Sequence, residues 1–281
     1  MDTIFKIQET KEQIKTWKKC GYSIGFVPTM GYLHEGHQSL IQKSTNENDK
    51  TVVSIFVNPM QFAPTEDLAN YPRDMRSDTE LCERLGVNLI FSPNAEEMYI
   101  NDFSTFVDMD GITEELCGKS RPTHFRGVCT VVNKLFNIVT PDRAYFGQKD
   151  AQQLAVIKRM VRDLNMDVEI INCPIIREAD GLAKSSRNAY LSPEERKAAC
   201  VLSKAVFKGE QLVRLGERNP KNVIAAMKEI IQAEPLTKID YIEIVDSNSI
   251  RKTETIDGPV LAAIAVYIGK TRLIDNFNIN L

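Results

Sequence analysis

Apolar and polar positions in the first 176 residues alternate between a strand-like and a helix-like period. Tyr22–Met30 and Thr51–Val57 are nearly continuous apolar runs. The second, T-V-V-S-I-F-V, is rich in β-branched residues, as expected of a strand covered on both faces of a parallel sheet. Val87–Phe91, Arg143–Phe146 and Val168–Ile171 repeat that character, and Thr105–Val107 and Pro174–Ile176 predict further short strands. Helical spacing fills the intervals. Glu9–Lys19 reads as a surface helix ending near Gly21, and another runs from the turn after Met30 to about Ser44. Ser77–Leu85 is closed by Gly86. In Gly127–Val139 the residues Val128, Val131, Val132, Leu135, Phe136 and Val139 share one face, and Leu154, Ile157, Val161 and Leu164 do so beyond a cap at Asp150. Alternating strands and helices of this kind predict an α/β fold: a Rossmann-like, doubly wound parallel sheet over residues 1–176.

After Ile176 the pattern changes. R-E-A-D-G-L-A-K-S-S-R-N is polar, with a turn at Asp180-Gly181. Ser192, Pro193 and Glu195 then spell a capping box with proline at the first helical position, opening a helix expected to reach Leu215. Asn219-Pro220 starts another helix. Asp240–Val245, Val260–Ile268 and Arg272–Ile274 read as antiparallel strands. Residues 177–281 are therefore expected to form a smaller C-terminal α+β domain.

Composition narrows the class. The chain has 281 residues, 43% hydrophobic and 26% charged, with a net charge of −3, which suits a globular protein and speaks against a general nucleic-acid or membrane-surface binder. Six cysteines, Cys20, Cys82, Cys117, Cys129, Cys173 and Cys200, are scattered singly with no C-x-x-C pair. Together with an N-terminus lacking a basic region before an apolar run, this predicts a cytoplasmic protein with inert thiols.

Candidate chemistry gathers at strand ends and loops. Of three histidines, His34 and His37 stand three residues apart in a strand–helix turn, with Gly36 between them, and are expected on one face of the first helical turn. A helix N-terminus there favours an anion such as phosphate. Asn58 and Gln61 follow the Thr51–Val57 run. Gly147, Gln148, Lys149 and Asp150 form G-Q-K-D, whose glycine permits close approach and whose lysine suits phosphate. Lys184, Ser185, Ser186 and Arg187 form K-S-S-R, and Lys119, Arg121, His124 and Arg126 form a local positive cluster. Neither G-x-x-x-x-G-K-[ST] nor G-x-G-x-x-G occurs, so a P-loop is not expected. A zinc site built on His34, His37 and His124 lacks a thiol or acid at helical spacing, and no G-x-S-x-G elbow surrounds Ser185 or Ser186. A polyphosphate site is the reading that uses these groups together.

These residues carry a resemblance. P-T-M-G-Y-L-H-E-G-H resembles the His-x-Gly-His signature of the nucleotidylyltransferase superfamily, and K-S-S-R its second, mobile phosphate-binding signature. F-V-P-T-M-G-x-L-H-x-G-H, F-V-N-P-x-Q-F, Y-P-R, R-P-T-H-F-x-G-V, F-G-x-K-D-x-Q-Q and S-S-R-N stand in the order and spacing of the pantothenate synthetase family, across essentially the whole chain. The resemblance implies a dimeric cytoplasmic enzyme using ATP and Mg²⁺ to join (R)-pantoate to β-alanine through a pantoyl adenylate, releasing AMP and pyrophosphate. It implies that Met30, Gly31, Tyr32, Leu33, His34, Glu35, Gly36 and His37 line the ATP site, with His37 as proton donor and His34 also on the phosphates. Gln61 and Gln153 would hold pantoate. Gly147, Gln148, Lys149 and Asp150 would bind ATP, with Lys149 on phosphate, and the Ile176 backbone would contact adenine. Lys184, Ser185, Ser186 and Arg187 would close over the triphosphate, although many members have methionine where this chain has Lys184. Asn58, Tyr71, Arg121 and His124 match motif positions near the site, and Asp78 is an outer-sphere candidate for Mg²⁺. Other superfamily transferases, or a non-catalytic nucleotide sensor, are the rival readings.

Overall fold

A computed structural model describes residues 1–64 and 66–280. In chain order its elements are β1 (Asp2–Ile4), α1 (Ile7–Lys19), β2 (Ile24–Thr29), α2 (Glu35–Glu47), β3 (Lys50–Ile55), α3 (Met75–Arg84), β4 (Leu89–Phe91), α4 (Ala95–Met98), α5 (Cys117–Ser120), α6 (His124–Val139), β5 (Arg143–Gly147), α7 (Ala151–Asp163), β6 (Glu169–Cys173), α8 (Pro193–Ala198), α9 (Val201–Arg214), α10 (Pro220–Gln232), β7 (Thr237–Asp246), β8 (Val260–Ile268) and β9 (Thr271–Ile279).

The chain divides into two compact units. The first comprises Met1–Met109, Thr123–Gly147 and Val156–Cys173; the second comprises Asp110–Pro122, Gln148–Ala155 and Pro174–Leu281. The second unit thus takes up two stretches that precede the change of pattern at Ile176.

The first unit is built on a six-stranded parallel sheet in the order β1-β4-β3-β2-β5-β6. Val27, Val53, Ile90 and Tyr145 from its strands are buried with Leu40, Ile41 and Cys82 from α2 and α3. Strand order reverses between β2 and β5, because successive strands go to one side after β2 and to the other from β5. In such sheets the carboxyl ends beside the reversal form the crevice in which ligands bind. Here β2 ends at Thr29, immediately before the two-histidine turn.

The second unit holds the antiparallel sheet β7-β8-β9. α9 and α10 cover it through Leu202, Val206, Val213, Val223, Met227 and Ile231. As expected, Ser192 and Glu195 form a reciprocal capping box at the start of α8.

Several elements depart from the pattern-based expectation. β1 is a strand although only three residues long, with too little sequence to show a period. No strand occurs at 105–107 or 174–176; Arg177 instead bridges Ala183 around the Asp180-Gly181 turn. The long helix from Pro193 is interrupted, because i→i+3 bonds from Cys200 N to Lys197 O (3.3 Å) and Leu202 N to Ala199 O (3.1 Å) tighten the chain between α8 and α9. β9 continues to Ile279, past Asp275 and Asn276, whose burial breaks the apolar alternation.

Candidate active site

The turn after β2 is held from beneath by one side chain. Gly31 (φ +83°) and Tyr32 (φ 52°) both take left-handed backbone conformations, uncommon for tyrosine. Asp78 on α3 accepts the Tyr32 N–H with one carboxylate oxygen (2.8 Å) and the Leu33 N–H with the other (2.7 Å). A Cβ on Gly31 would lie 3.0 Å from that same carboxylate and 3.0 Å from Ile55, so the turn has no room for one. Asp78 is 2% exposed. Burial pushes its carboxyl up from the ordinary range, and the two backbone N–H groups oppose that rise by stabilising the anion.

The turn delivers His34 as the N-cap of α2 rather than as a residue of its first turn. His34 Nδ1 accepts the Gly36 N–H (3.1 Å), and His37 Nδ1 accepts the His34 N–H (3.3 Å), so the two rings make the reciprocal capping box that serine and glutamate usually make. The ring centroids are 4.1 Å apart at 42°. A backbone N–H can only donate, so each Nδ1 is an acceptor and each neutral ring carries its proton on Nε2. The helix start therefore presents two imidazole N–H donors along with its own positive end.

Beyond β3, Asn58 caps the 3-10 turn Pro59–Gln61. Asn58 is 1% exposed; its Nδ2 donates to Gln61 Oε1 (3.1 Å) and to the Gly127 carbonyl (3.1 Å). Gln61 Nε2 points to Met30 Sδ at 3.1 Å. α6 lies close against this turn, since a Cβ on Gly127 would fall 2.7 Å from the Gln61 Cα. At the start of α6, His124 Nδ1 meets the Gln61 carbonyl at 2.9 Å, and because a carbonyl only accepts, that nitrogen is the donor. Tyr71 is buried with its ring edge-on to Phe62. Met30, Asn58, Gln61 and the two-histidine turn thus belong to one connected arrangement in the first unit.

Gly147 ends β5 in the first unit, and the second unit positions the other predicted residues. Gln148–Asp150 is a 3-10 turn leading into α7. Buried Asn276 on β9 donates to the carbonyls of Gln148 (3.0 Å) and Lys149 (2.9 Å). Lys149 Nζ stands 4.0 Å from Asp150. Gln153 is half-buried on the first turn of α7, next to Gln152, whose amide bonds the backbone of Ile112, Glu115 and Cys117. Ser185 caps the 3-10 turn Ser186–Tyr190 by accepting the Arg187 N–H (3.3 Å). The Ile176 carbonyl takes the Lys184 N–H at 2.9 Å, and Lys184 Nζ is 2.6 Å from Glu178. Arg177 makes a bidentate pair with buried Asp275 (2.7 and 2.9 Å), which anchors the base of this loop to β9.

The residues of the positive cluster expected at 119–126 fall in both units. Lys119 and Arg121 belong to the second unit, whereas His124 and Arg126 belong to the first, where Arg126 lies over the Phe106 ring at 4.0 Å. Asp78, the outer-sphere candidate for Mg²⁺, accepts one backbone N–H of the turn on each of its oxygens. Among the described residues no group of three His, Cys, Asp or Glu side chains could hold a metal ion. Burial pushes the Cys82 and Cys129 thiols up to about 12, consistent with unreactive sulfur. Tyr99, Gln152, Asp275 and Asn276 were not singled out from sequence; only the Gln152-Gln153 pair within a matched motif signalled any of them.

Among the described residues no helix is long and apolar enough to cross a membrane. A family model described as pantoate-beta-alanine ligase matches residues 2–278. Pantothenate synthetase of Ruminiclostridium cellulolyticum is 63% identical over 278 residues, covering 99% of this chain and 99% of that one. The Clostridium acetobutylicum protein of the same name is 59% identical over 281 residues, covering both chains fully (100% each). Among solved structures, pantothenate synthetase from Thermus thermophilus matches with a TM-score of 0.94 and 43% identity, over 99% of each chain. Pantoate-beta-alanine ligase from Francisella tularensis, solved in complex with beta-gamma ATP and beta-alanine, matches with a TM-score of 0.82 and 34% identity over 99% of this chain and 97% of that one.

Proposed function

The chain belongs to the pantoate-beta-alanine ligase family, and on that premise we propose that it condenses (R)-pantoate with β-alanine at the expense of ATP. A pantoate carboxylate oxygen attacks the α-phosphorus, and pyrophosphate leaves. The amine of β-alanine then attacks the acyl carbon of the adenylate, and AMP leaves. The acyl phosphate supplies the activation, so the protein's part is to orient reactants and stabilise charge.

The observation that carries this reading is the two-histidine cap at the carboxyl end of β2, beside the strand reversal. With both Nδ1 atoms held by backbone N–H groups, His34 and His37 turn Nε2–H donors to phosphate oxygens, and His37, the expected proton donor, is assigned the Nε2–H hydrogen bond that stabilises charge on the leaving pyrophosphate. Met30 to His37 supply the nucleotide-facing turn. Gln61 and Gln153 are assigned to pantoate, with Gln61 also near β-alanine. Lys149 and Arg187 are assigned to phosphate charge, Gly147 to Asp150 to ATP, Ser185 and Ser186 to phosphate oxygens, and the Ile176 backbone to adenine. Asn58, Tyr71, Arg121 and His124 are assigned supporting places around the acid. Residues 177–281, with the loop Lys184–Arg187, are proposed to close on the nucleotide, and the chain to work as a cytoplasmic homodimer. Mg²⁺ would enter on the triphosphate and shield its charge; no step is assigned to it.

Product analysis tests this. With ATP, pantoate and β-alanine together, AMP and pyrophosphate should form in equal amounts with pantothenate, and omission of pantoate should abolish both. Formation of ADP would overturn the reading, as would nucleotide binding with no turnover of any acid–amine pair.

A further inference from the structure

Tyr99, directly after α4, donates its hydroxyl to Asn58 Oδ1 at 2.8 Å. Two of the contacts around Asn58 have fixed polarity. The Met60 N–H, 3.3 Å from Oδ1, can only donate, and the Gly127 carbonyl, 3.1 Å from Nδ2, can only accept. The Asn58 amide therefore has a single orientation consistent with its neighbours. Its Nδ2 then donates to Gln61 Oε1, so Gln61 must turn its oxygen toward Asn58 and its nitrogen toward Met30. A group meeting Gln61 on the Met30 side meets an N–H donor, which suits a carboxylate or hydroxyl oxygen. Reversed, the amide would present an oxygen to an acid and repel it.

We propose that Tyr99 is a positioning residue: the Met60 N–H and the Gly127 carbonyl fix the polarity of the Asn58 amide, and the Tyr99 hydroxyl, the shortest bond to Asn58 Oδ1, holds that amide in place so that Gln61 keeps its N–H end toward the acid substrate. The proposal rests on the reading above, in which Gln61 holds pantoate. Burial drives the Tyr99 hydroxyl well above its ordinary range, so it stays protonated as a donor at any working pH. Its ring is held separately, edge-on to Phe103 at 5.0 Å and tilted against Phe56 at 6.2 Å. Tyr99→Phe therefore removes the hydroxyl while keeping the packing, and leaves Asn58 Oδ1 with the longer bond from Met60.

Steady-state kinetics of Tyr99→Phe, Gln61→Ala and the double variant test it. Tyr99→Phe should raise KM for pantoate about tenfold, the scale of one lost hydrogen bond, with KM for ATP unchanged. In the Gln61→Ala background the same change should add nothing to KM for pantoate, since there is no amide left to orient. An unchanged KM for pantoate in Tyr99→Phe, an equal rise for ATP, or full additivity with Gln61→Ala would each overturn the proposal. A second readout separates this from failure of the substrate assignment. The Gln61 side-chain amide resonances of the substrate-free protein should shift in Tyr99→Phe, and unshifted resonances would refute the relay itself. Shifted resonances with an unchanged KM for pantoate in Gln61→Ala would place the error in the assignment of Gln61 to the acid.

Discussion

Asp78 accepts the Tyr32 N–H at 2.8 Å, and so holds a tyrosine at φ 52° in the turn that delivers both histidines. The other oxygen of the same carboxylate takes the Leu33 N–H. Asp78→Asn puts an NH₂ against one of those donors and leaves a buried N–H without an acceptor. It should cost about 1–3 kcal/mol of stability, read by urea denaturation, together with a fall in kcat. The magnesium concentration giving half-maximal rate should not move. A raised magnesium requirement that excess metal corrects would instead make Asp78 a partner of the ion.

The same residue has a pH signature. Burial raises its folded-state pKa, so between the ordinary value of 3.8 and that raised value the folded protein binds more protons than the unfolded one. Its contribution to stability accordingly declines as pH rises through that window. Subtracting the stability–pH curve of Asp78→Asn from that of the wild type should leave a difference that falls with rising pH just above 3.8; a rising difference would contradict the sign.

His34 has two separable duties. As N-cap it accepts the Gly36 N–H through Nδ1, and its Nε2–H is assigned to phosphate. His34→Ala should lose about 1 kcal/mol of stability along with activity. His34→Asn, a good cap without an imidazole, should recover the stability and not the activity. His37→Ala should cost at least ~2–3 kcal/mol in kcat/KM with the fold intact. A near-wild-type kcat in His37→Ala would remove it from the chemistry.

Much of the first unit was legible because a parallel sheet covered on both faces demands continuous apolar runs, and β2 and β3 supply them. β1 escaped because three residues carry no period. The second half of β9 was hidden because Asp275 and Asn276 are buried polar residues. Their partners, Arg177 and the carbonyls of Gln148 and Lys149, lie about a hundred residues earlier or more, and no local pattern reveals such a pairing. The two-histidine turn was visible as a place for anions. That its Nδ1 atoms cap the helix depends on ring orientation, which spacing does not encode. Tyr99 sits in an irregular stretch that offered no signal. Sequence placed the candidate groups; the fold decided how their hydrogen bonds run.

Asp180 supplies an acid-side prediction. Arg196 bonds both its oxygens (2.8 and 3.1 Å), holding the Asp180 carboxyl down to about 2. The folded value lies below the ordinary 3.8, so the stabilisation is present above 3.8 and lost as pH falls toward about 2. The Asp180 side chain is 48% exposed, so solvent screening keeps the effect within about 1 kcal/mol. Asp180→Asn should lower stability by that order at pH 6 and make no difference near pH 2. A difference that persists near pH 2 would show that the ion pair is not its source.

Lys184 opens the K-S-S-R loop. Its ammonium lies 2.6 Å from Glu178, with the two side chains 17% and 29% exposed, so its charge is balanced within its own loop. Lys184→Met should therefore change KM for ATP by less than about threefold, the scale of one weak ion pair. Glu178→Gln, which releases the charge, should lower KM for ATP. A large rise in KM for ATP in Lys184→Met would mean that the ammonium leaves Glu178 to grip the nucleotide.

The fate of oxygen in the acid tests the proposed chemistry most directly. Pantoate carrying oxygen-18 in both carboxylate positions should transfer one labelled oxygen to the phosphate of AMP and keep one in the pantothenate amide, with none in pyrophosphate. AMP without label, or ADP formed with labelled orthophosphate, would contradict attack of the carboxylate on the α-phosphorus.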